Sequence, residues 1–400
     1  MPLSLEAACY TLQVDLSLKR LRLGVIYGGR SSEHEVSLAS AAAIFANLDS
    51  ARYEALPIRI DRRGRWSLEE YPPTTLSAAA VITQPTSVPN IGQMARETHF
   101  VAAPTSQNLV TIERNSDGGS QAVVAGLSLD VVFPVIHGPY GEDGTLQGLL
   151  ELANVPYVGA GVLASAVAMD KAVAKVLFSE RGLPQVDYAV VNGAVWDRDH
   201  RGTLDRLVAK IPFPVFVKPA NLGSSVGVSK ASDRAALEQA VELARAYDQK
   251  IIVEATVPDA RELECAVLGN DAPEASVPGE IVPSREFYDY ASKYLDEGSE
   301  LVIPARLETP QTEQIRSMAV EAFRAVNAAG MARVDFLMAG ASGRIVVNEI
   351  NTVPGFTTIS MFAKLWQASG LEYSTLLNRL IELAQERHAA KQQLRTGSPL

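Results

Sequence analysis

The sequence is poor in cysteine, in clustered basic residues and in long apolar runs, and each shortage excludes something. Its 400 residues hold two cysteines, Cys9 in an N-terminal leader and Cys265 in an apolar strand-like run. Two cannot build a disulfide framework, which points to a reducing compartment. Lys and Arg total 36 against 46 Asp and Glu, a formal net charge of −10, and the basic residues form no long run. Binding to duplex nucleic acid needs clustered Lys and Arg, so nucleic acid is not an expected partner. No stretch of about eighteen uncharged apolar residues occurs, so no membrane-spanning helix is expected. Residues 1–20 carry Glu6, Asp15 and Lys19 and lack both a secretory apolar core and an Arg-rich transit pattern. Internal repeats and low-complexity tracts are absent as well. A soluble, cytoplasmic protein is expected.

What is present is an ordinary globular composition, 47% hydrophobic and 20% charged, in a chain long enough for two or three domains. LRLGVIYGG (21–29) reads as a buried strand ending in a glycine turn. EVSLASAAAIFANL is the helix after it, opened by a Ser32/Glu35 capping box. Together they open an N-terminal α/β domain over residues 21–159. Residues 72–125, rich in Pro, Thr, Ser and Asn, read as an irregular insertion of loops and short strands. VVFPVIHG (131–138) is a second buried strand, followed by the helix TLQGLLELA. A central domain over 160–256 is expected to hold one helix (SAVAMDKAVAKVLFSERG), a strand pair (PQVDYAVV with FPVFVKPA) and a second helix (DRAALEQAVELARAY). IIVEATV, ELECAVLG and GEIVP follow as strands, then a loop and a hairpin, with the C-terminal domain spanning 257–388. Residues 389–400 are expected to fray.

The chemistry concentrates in that hairpin, where MARVDFLM and VVNEIN flank the turn-rich AGASGR. Alternate residues of a strand share a face, which groups Arg333 with Asp335 and Glu349 with Asn351. A turn centred near Ser342 sets Asp335 opposite Glu349 and Arg333 opposite Asn351. Facing carboxylates repel. A divalent cation removes the conflict, and the all-oxygen set Asp335, Glu349 and Asn351 suits Mg2+ rather than zinc. The alternative is a solvated acidic pair; Val334, Phe336, Val346, Val347 and Ile350 around it argue for burial.

Such Mg2+ sites usually hold a nucleotide's phosphates too, so phosphate grips should exist elsewhere. FVKPANLGSSVGVSK offers Lys218 at a strand end, then a small-residue loop over 223–227 whose N–H groups can approach phosphate oxygens. The lysine precedes the glycines, so this is not a P-loop, and alone such a loop is equally an ordinary turn. Lys171 in AMDKAVAK and Lys293 in FYDYASKYLDEG add charge. HGPYGEDGTLQG reads structurally as a tight turn with Glu142 and Asp143 at a helix N-terminus. His137 is either a core histidine or a site residue, and Glu33 either favours its helix N-terminus or faces a ligand.

In order along the chain, GGRSSEHEVSL, HGPYGEDGTLQG, AMDKAVAK, VKPANLGSSVG, YDYASKYLDE and GMARVDFL with VNEINTVPG closely resemble the D-alanine–D-alanine ligases of the ATP-grasp superfamily. The resemblance covers about residues 21–385 and leaves the leader, the tail and much of 72–125 unmatched. It implies a three-domain α/β (α+β) ATP-grasp architecture, with the nucleotide held between the central and C-terminal domains. It also implies ATP, two Mg2+ per site (Mn2+ able to substitute), two D-alanine molecules and a homodimer. Carried over by position, Lys171 and Lys218 would hold the ATP phosphates, with Gly223, Ser224 and Ser225 in the loop closing over them. Glu254 and the Val257 backbone would meet adenine, Glu262 the ribose, and Lys293 the γ-phosphate from a lid over 284–299. Asp335, Glu349 and Asn351 would bind the metals. Glu33 would take the first D-alanine's ammonium, linked to Ser224 and Tyr294, with His137 nearby. Arg333 and the Gly355 N–H would stabilise the oxyanion, and Ser360 would hold the second D-alanine's carboxylate.

The implied reaction activates the first D-alanine as an acyl phosphate, which the second D-alanine's amine attacks, releasing ADP and phosphate and yielding a peptidoglycan precursor. Pro354 would end the hairpin strand and Gly355 would admit close backbone approach. Three rivals differ by sequence feature. A ligase forming an ester with a hydroxy acid fits poorly with the Lys293–Tyr294 pair. A catalytically dead nucleotide-binding module would lack a metal ligand or Arg333. An ATP-grasp carboxylase would lack the Glu33 segment.

Overall fold

A computed structural model of the protein describes residues 20–74, 96–114, 122–282, 300–357 and 359–395. Cys9, Lys293, Tyr294, the expected lid over 284–299 and most of the expected leader lie outside those residues.

The first sheet is built from β1 (Leu21–Gly28), β2 (Tyr53–Ile60), β3 (Trp66–Leu68), β4 (Arg96–Phe100), β5 (Leu109–Arg114), β6 (Ala122–Leu127) and β7 (Val131–Pro134). Its order is β6-β5-β4-β3-β2-β1-β7. β1 pairs in parallel with both β2 and β7. It is buried from Leu23 onward, which is why it reads as a continuous apolar run. The Pro- and Ser-rich insertion was expected to hold loops and short strands. Its described part supplies β4–β6, an antiparallel extension of the sheet's edge. Helix α1 (His34–Asn47) has Glu33 as its N-cap, with no side-chain cap bond. The expected Ser32/Glu35 box therefore sits out of register: Glu35 lies inside the helix and pairs with Arg62. Helix α2 (Thr145–Leu152) follows β7.

The expected single helix over 165–182 is two, α3 (Val162–Met169) and α4 (Lys171–Glu180). Asp170 between them has extended backbone, and its carboxylate accepts from the Ala172 and Val173 N–H groups, each at 3.1 Å. That is N-cap geometry, and it starts a new helix inside an apolar run. The second sheet comprises β8 (Tyr188–Asn192), β9 (Val215–Pro219), β10 (Ser229–Ala231) and β11 (Lys250–Ala255), in the order β10-β9-β11-β8. The expected pairing of β8 with β9 is thus corrected, because β11 lies between them and pairs with both. Helices α5 (Gly193–Arg198), α6 (His200–Lys210) and α7 (Arg234–Arg245) belong to this unit, and Trp196, Leu204, Leu207, Leu237 and Val241 cover the sheet.

The third sheet holds β12 (Ala260–Gly269), β13 (Glu274–Ala275), β14 (Gly279–Val282), β15 (Glu300–Val302), β16 (Gly330–Ala339) and β17 (Ile345–Asn351). Its main path is β15-β14-β12-β16-β17. Helix α8 (Thr309–Ala325) packs Ile315, Ala319 and Phe323 against Val334, Phe336 and Val347. Helices α9 (Met361–Ala368) and α10 (Tyr373–Gln392) place Phe362, Leu376 and Leu380 in a core shared with Leu23 and Phe133 of the first sheet. Helix α10 runs past residue 388, where fraying was expected. Arg387 donates to the Tyr157 carbonyl at 3.0 Å and to the Gly159 carbonyl, and Lys391 pairs with Glu151. These contacts tie the helix end to the first unit. No helix among the described residues is long and apolar enough to cross a membrane.

Candidate active site

The hairpin of β16 and β17 sets Arg333 opposite Asn351 and Asp335 opposite Glu349, the register expected from its turn. Between Asp335 and Phe336 the register slips, so Val347 rather than Asn348 faces Phe336. This is a β-bulge, with one extra residue on β17. Asn348 and Glu349 consequently both line the same cavity, where strict alternation would turn one of them inward. The strand itself ends at Asn351, before Pro354 is reached.

The carboxylates do not stand as an exposed pair. Glu264 on β12 faces Asp335 from the other side, making a row of three acids across three strands. Arg333 answers them. It forks onto Asp335 at 2.7 and 2.8 Å and lies 3.0 Å from Glu264. Burial works against its charge, but Asp335 and Glu264 outweigh burial and hold the pKa well above the ordinary arginine value. The Asn351 side-chain amide donates to Asp335 at 3.1 Å. Among the described residues no three His, Cys, Asp or Glu side chains are grouped to hold a metal unaided. The donors present are two facing carboxylates with an amide oxygen beside them. That set fits a hard divalent cation that takes its remaining ligands from phosphates and water.

Beside this hairpin lies a cavity of about 580 Å³ that lysines also line. Lys171, Lys218, Gly223, Ser224, Ser225, Glu254, Val257 and Glu262 line it together with Glu349. Asn351 lies in a small adjoining recess with Glu142, Lys171 and Glu349. Lys171, at the start of α4, donates to the Leu222 carbonyl at 2.6 Å and stands 3.4 Å from Glu349. Lys218 stands 2.5 Å from Glu254, whose other oxygen is 2.8 Å from Lys175. Burial would raise the Glu254 pKa, yet the two ammoniums pull it down to about 2. Burial likewise opposes the Lys218 charge, and Glu254 and Glu349 more than restore it.

The segments around Glu33 and Gly138 meet beside the loop that lines the cavity. The Ser224 hydroxyl donates to Glu33, which is buried. Gly138 has φ +76, and a Cβ there would lie 2.9 Å from the Glu33 carboxylate; glycine at this position leaves room for Glu33. Glu142 accepts from the Gly138 N–H at 2.8 Å. Burial, then the Glu33 charge, push its carboxyl up to about 8. His137 is fully enclosed, with Nδ1 3.0 Å from the Val353 carbonyl and Nε2 3.2 Å from the Ser40 hydroxyl, and burial lowers its pKa. Ser40 also accepts from the Phe356 N–H at 3.2 Å, so one hydroxyl joins α1, His137 and the segment after β17. Gly355 sits against Ser360, whose Oγ would be 2.7 Å from a Cβ placed there. The Ser360 hydroxyl is in turn bonded to Thr357.

All the described residues singled out in the sequence thus fall on this cavity, the adjoining acidic row or the Glu33–His137–Ser360 corner. Asn348, Glu264, Lys175 and Ser40 were missed. Lys175 alone carried a signal, a lysine on the buried face of an otherwise apolar helix.

Matches to known proteins agree with this geometry. Residues 22–160 match the family model described as D-ala D-ala ligase N-terminus, and residues 177–382 match D-ala D-ala ligase C-terminus. The chain is 48% identical over 373 residues to the D-alanine–D-alanine ligase of Solibacter usitatus, covering 93% of this chain and 98% of that one. It is 48% identical over 370 residues to that of Heliobacterium modesticaldum, covering 92% and 96%. Among solved structures, the D-alanine–D-alanine ligase of Coxiella burnetii matches with a TM-score of 0.76 at 38% identity, covering 94% and 96%. The VanG D-Ala:D-Ser ligase of Enterococcus faecalis matches with a TM-score of 0.77 at 33% identity, covering 92% and 100%. With Lys171, Lys218 and Glu349 lining one cavity, and with both family models matched in order, the chain belongs to the D-alanine–D-alanine ligase family of ATP-grasp enzymes.

Proposed function

We propose that the protein joins two D-alanines at the expense of one ATP in the cytoplasm, with Mg2+ as the working metal and Mn2+ able to replace it. One arrangement carries the reading: a lysine-lined cavity walled by the Asp335–Glu349 hairpin, with the Glu33–Ser224 contact at its edge. Lys171 and Lys218 bind the phosphates while the loop from Gly223 through Ser225 covers them. Glu254 and Val257 meet the adenine, and Glu262 the ribose. Asp335, Glu349 and Asn351 would hold two metal ions, whose charge would offset that of the phosphates and polarise the transferring group. Outside the described residues, Lys293 would bind the γ-phosphate and Tyr294 would link to Ser224 and Glu33.

Glu33 fixes the first D-alanine by its ammonium, so that its carboxylate points at the phosphate being transferred. The acyl phosphate that results is attacked by the amine of the second D-alanine, which Ser360 orients. Arg333 and the Gly355 N–H receive the charge that develops on the carbonyl oxygen. His137 shapes the first amino acid's pocket from behind. Because an acyl phosphate hydrolyses, the bound site must exclude water, the role expected of residues 284–299.

The test is direct. Purified protein given ATP, Mg2+ and D-alanine is expected to release one phosphate per D-alanyl-D-alanine formed. D-serine and D-lactate, each supplied with D-alanine across a pH series, are expected to compete poorly as second substrates. Absence of D-alanine-dependent phosphate release sinks the reading.

A further inference from the structure

We infer that Lys175, which lies behind the cavity rather than in it, is a positioning residue that keeps Lys218 available to a nucleotide's phosphates. The inference rests on reading the cavity as a nucleotide site.

Lys175 follows Lys171 by one turn of α4, so the two side chains leave the same face of the helix. Lys171 lines the cavity and Lys175 does not. Its side chain is 1% exposed, with Nζ 2.8 Å from Glu254 and 5.5 Å from the centre of the Tyr188 ring. A buried ammonium carries a desolvation penalty that an apolar residue of similar size would avoid. Its presence therefore needs a reason.

Satisfying Glu254 is not reason enough, because Lys218 already stands 2.5 Å from that carboxylate. One lysine and one glutamate make a neutral pair. The second lysine brings the three groups to a formal charge of +1. The exposures say where the surplus points: 16% for the Lys218 side chain, 4% for Glu254 and 1% for Lys175. Lys175 therefore compensates Glu254 from the interior, and Lys218 presents its charge to the cavity instead of neutralising its neighbour. Glu349 and Glu262 also draw on Lys218 from the cavity side, which makes the support from behind more needed.

The inference separates charge from packing, and binding measurements without metal can do the same. Calorimetry would compare ADP with adenosine, in chelator, for the native chain, Lys175→Met, Lys175→Arg and Lys175→Met/Glu254→Gln. The adenosine arm absorbs any role of Glu254 at the base. Lys175→Met is expected to lower the ADP-over-adenosine affinity ratio about tenfold, since it leaves Lys218 in a neutral pair. Lys175→Arg keeps the charge and should keep the ratio. The double variant removes one charge of each sign and should return the ratio to within about threefold of native. An unchanged ratio in Lys175→Met overturns the proposal, as does a double variant with a ratio as low as that expected for Lys175→Met. The latter result decides even if Lys175→Met fails to fold. If the native chain binds neither ligand, the nucleotide reading itself falls and this proposal falls with it.

Discussion

The two walls of the cavity are built on opposite plans that share one device. The hairpin wall is acidic: Glu349 lines the cavity, Asp335 and Glu264 continue the row beyond the lining, and one arginine, Arg333, stands among them. The lysine wall is basic, with Lys171 and Lys218 on the cavity, Lys175 behind it, and one glutamate, Glu254, between Lys175 and Lys218. Each cluster thus contains a minority ion of the opposite sign, the half-buried Arg333 in one and the buried Glu254 in the other. Like charges packed together without ligand repel, and the minority ion makes each cluster tolerable in the folded chain. The difference lies in reach. Arg333 touches the acids through a two-pronged contact that fixes geometry, whereas Glu254 touches two flexible lysines and fixes mainly charge.

Substitutions that separate geometry from charge test this contrast. The largest effect is expected for Arg333→Lys, which keeps the cation and loses the fork. The rate of D-alanine-dependent phosphate release should fall about 10²–10³-fold, the usual cost of an oxyanion donor. The melting temperature should change little, because Asp335 and Glu264 retain a counter-ion. A rate within about threefold of native would mean that charge alone suffices on the hairpin wall.

A second expectation concerns Glu142, which stands between the walls and belongs to neither. Its folded pKa, about 8, lies above the ordinary glutamate value of 4.5, so the folded chain keeps a proton that the unfolded chain loses. The contribution to stability is full below 4.5 and declines as pH rises towards 8. In chelator and without nucleotide, Glu142→Gln should narrow the gap between melting temperatures at pH 5 and pH 8. An unchanged gap would show that Glu142 ionises freely beside Glu33.

The smallest effect is expected for Asn348→Ala. Its amide oxygen lies 3.5 Å from Lys218, a long contact, so KM for ATP should rise only about two- to fivefold with kcat unchanged. A loss of kcat instead would move Asn348 from the binding wall to the reacting one.

Much of this arrangement was legible in the sequence where chemistry and periodicity coincide. The hairpin register followed from a turn-rich break between two alternating runs, and the lysine loop from its glycines and serines. What escaped notice depends on contacts between distant segments. Ser40 matters because it meets His137 and Phe356, and Glu264 because β12 lies beside β16. The break at Asp170 was misread because apolar residues run on both sides of it, although an aspartate followed by a helix-forming run is itself a start signal. At α1 the opposite error arose: Ser32 and Glu35 have capping-box spacing, yet the chain begins its helix with Glu33 at the cap and turns that side chain towards Ser224.

The extra residue on β17 has a consequence for how such a wall can change over time. Insertion of one amino acid into a strand ordinarily inverts everything beyond it, sending core groups to the solvent. Here the additional position is absorbed at one spot: the pairs Asp335–Glu349 and Arg333–Asn351 keep their register, and Asn348 lines the cavity beside Glu349. A strand of this kind can hold an added residue and still keep both its core contacts and its paired polar side chains.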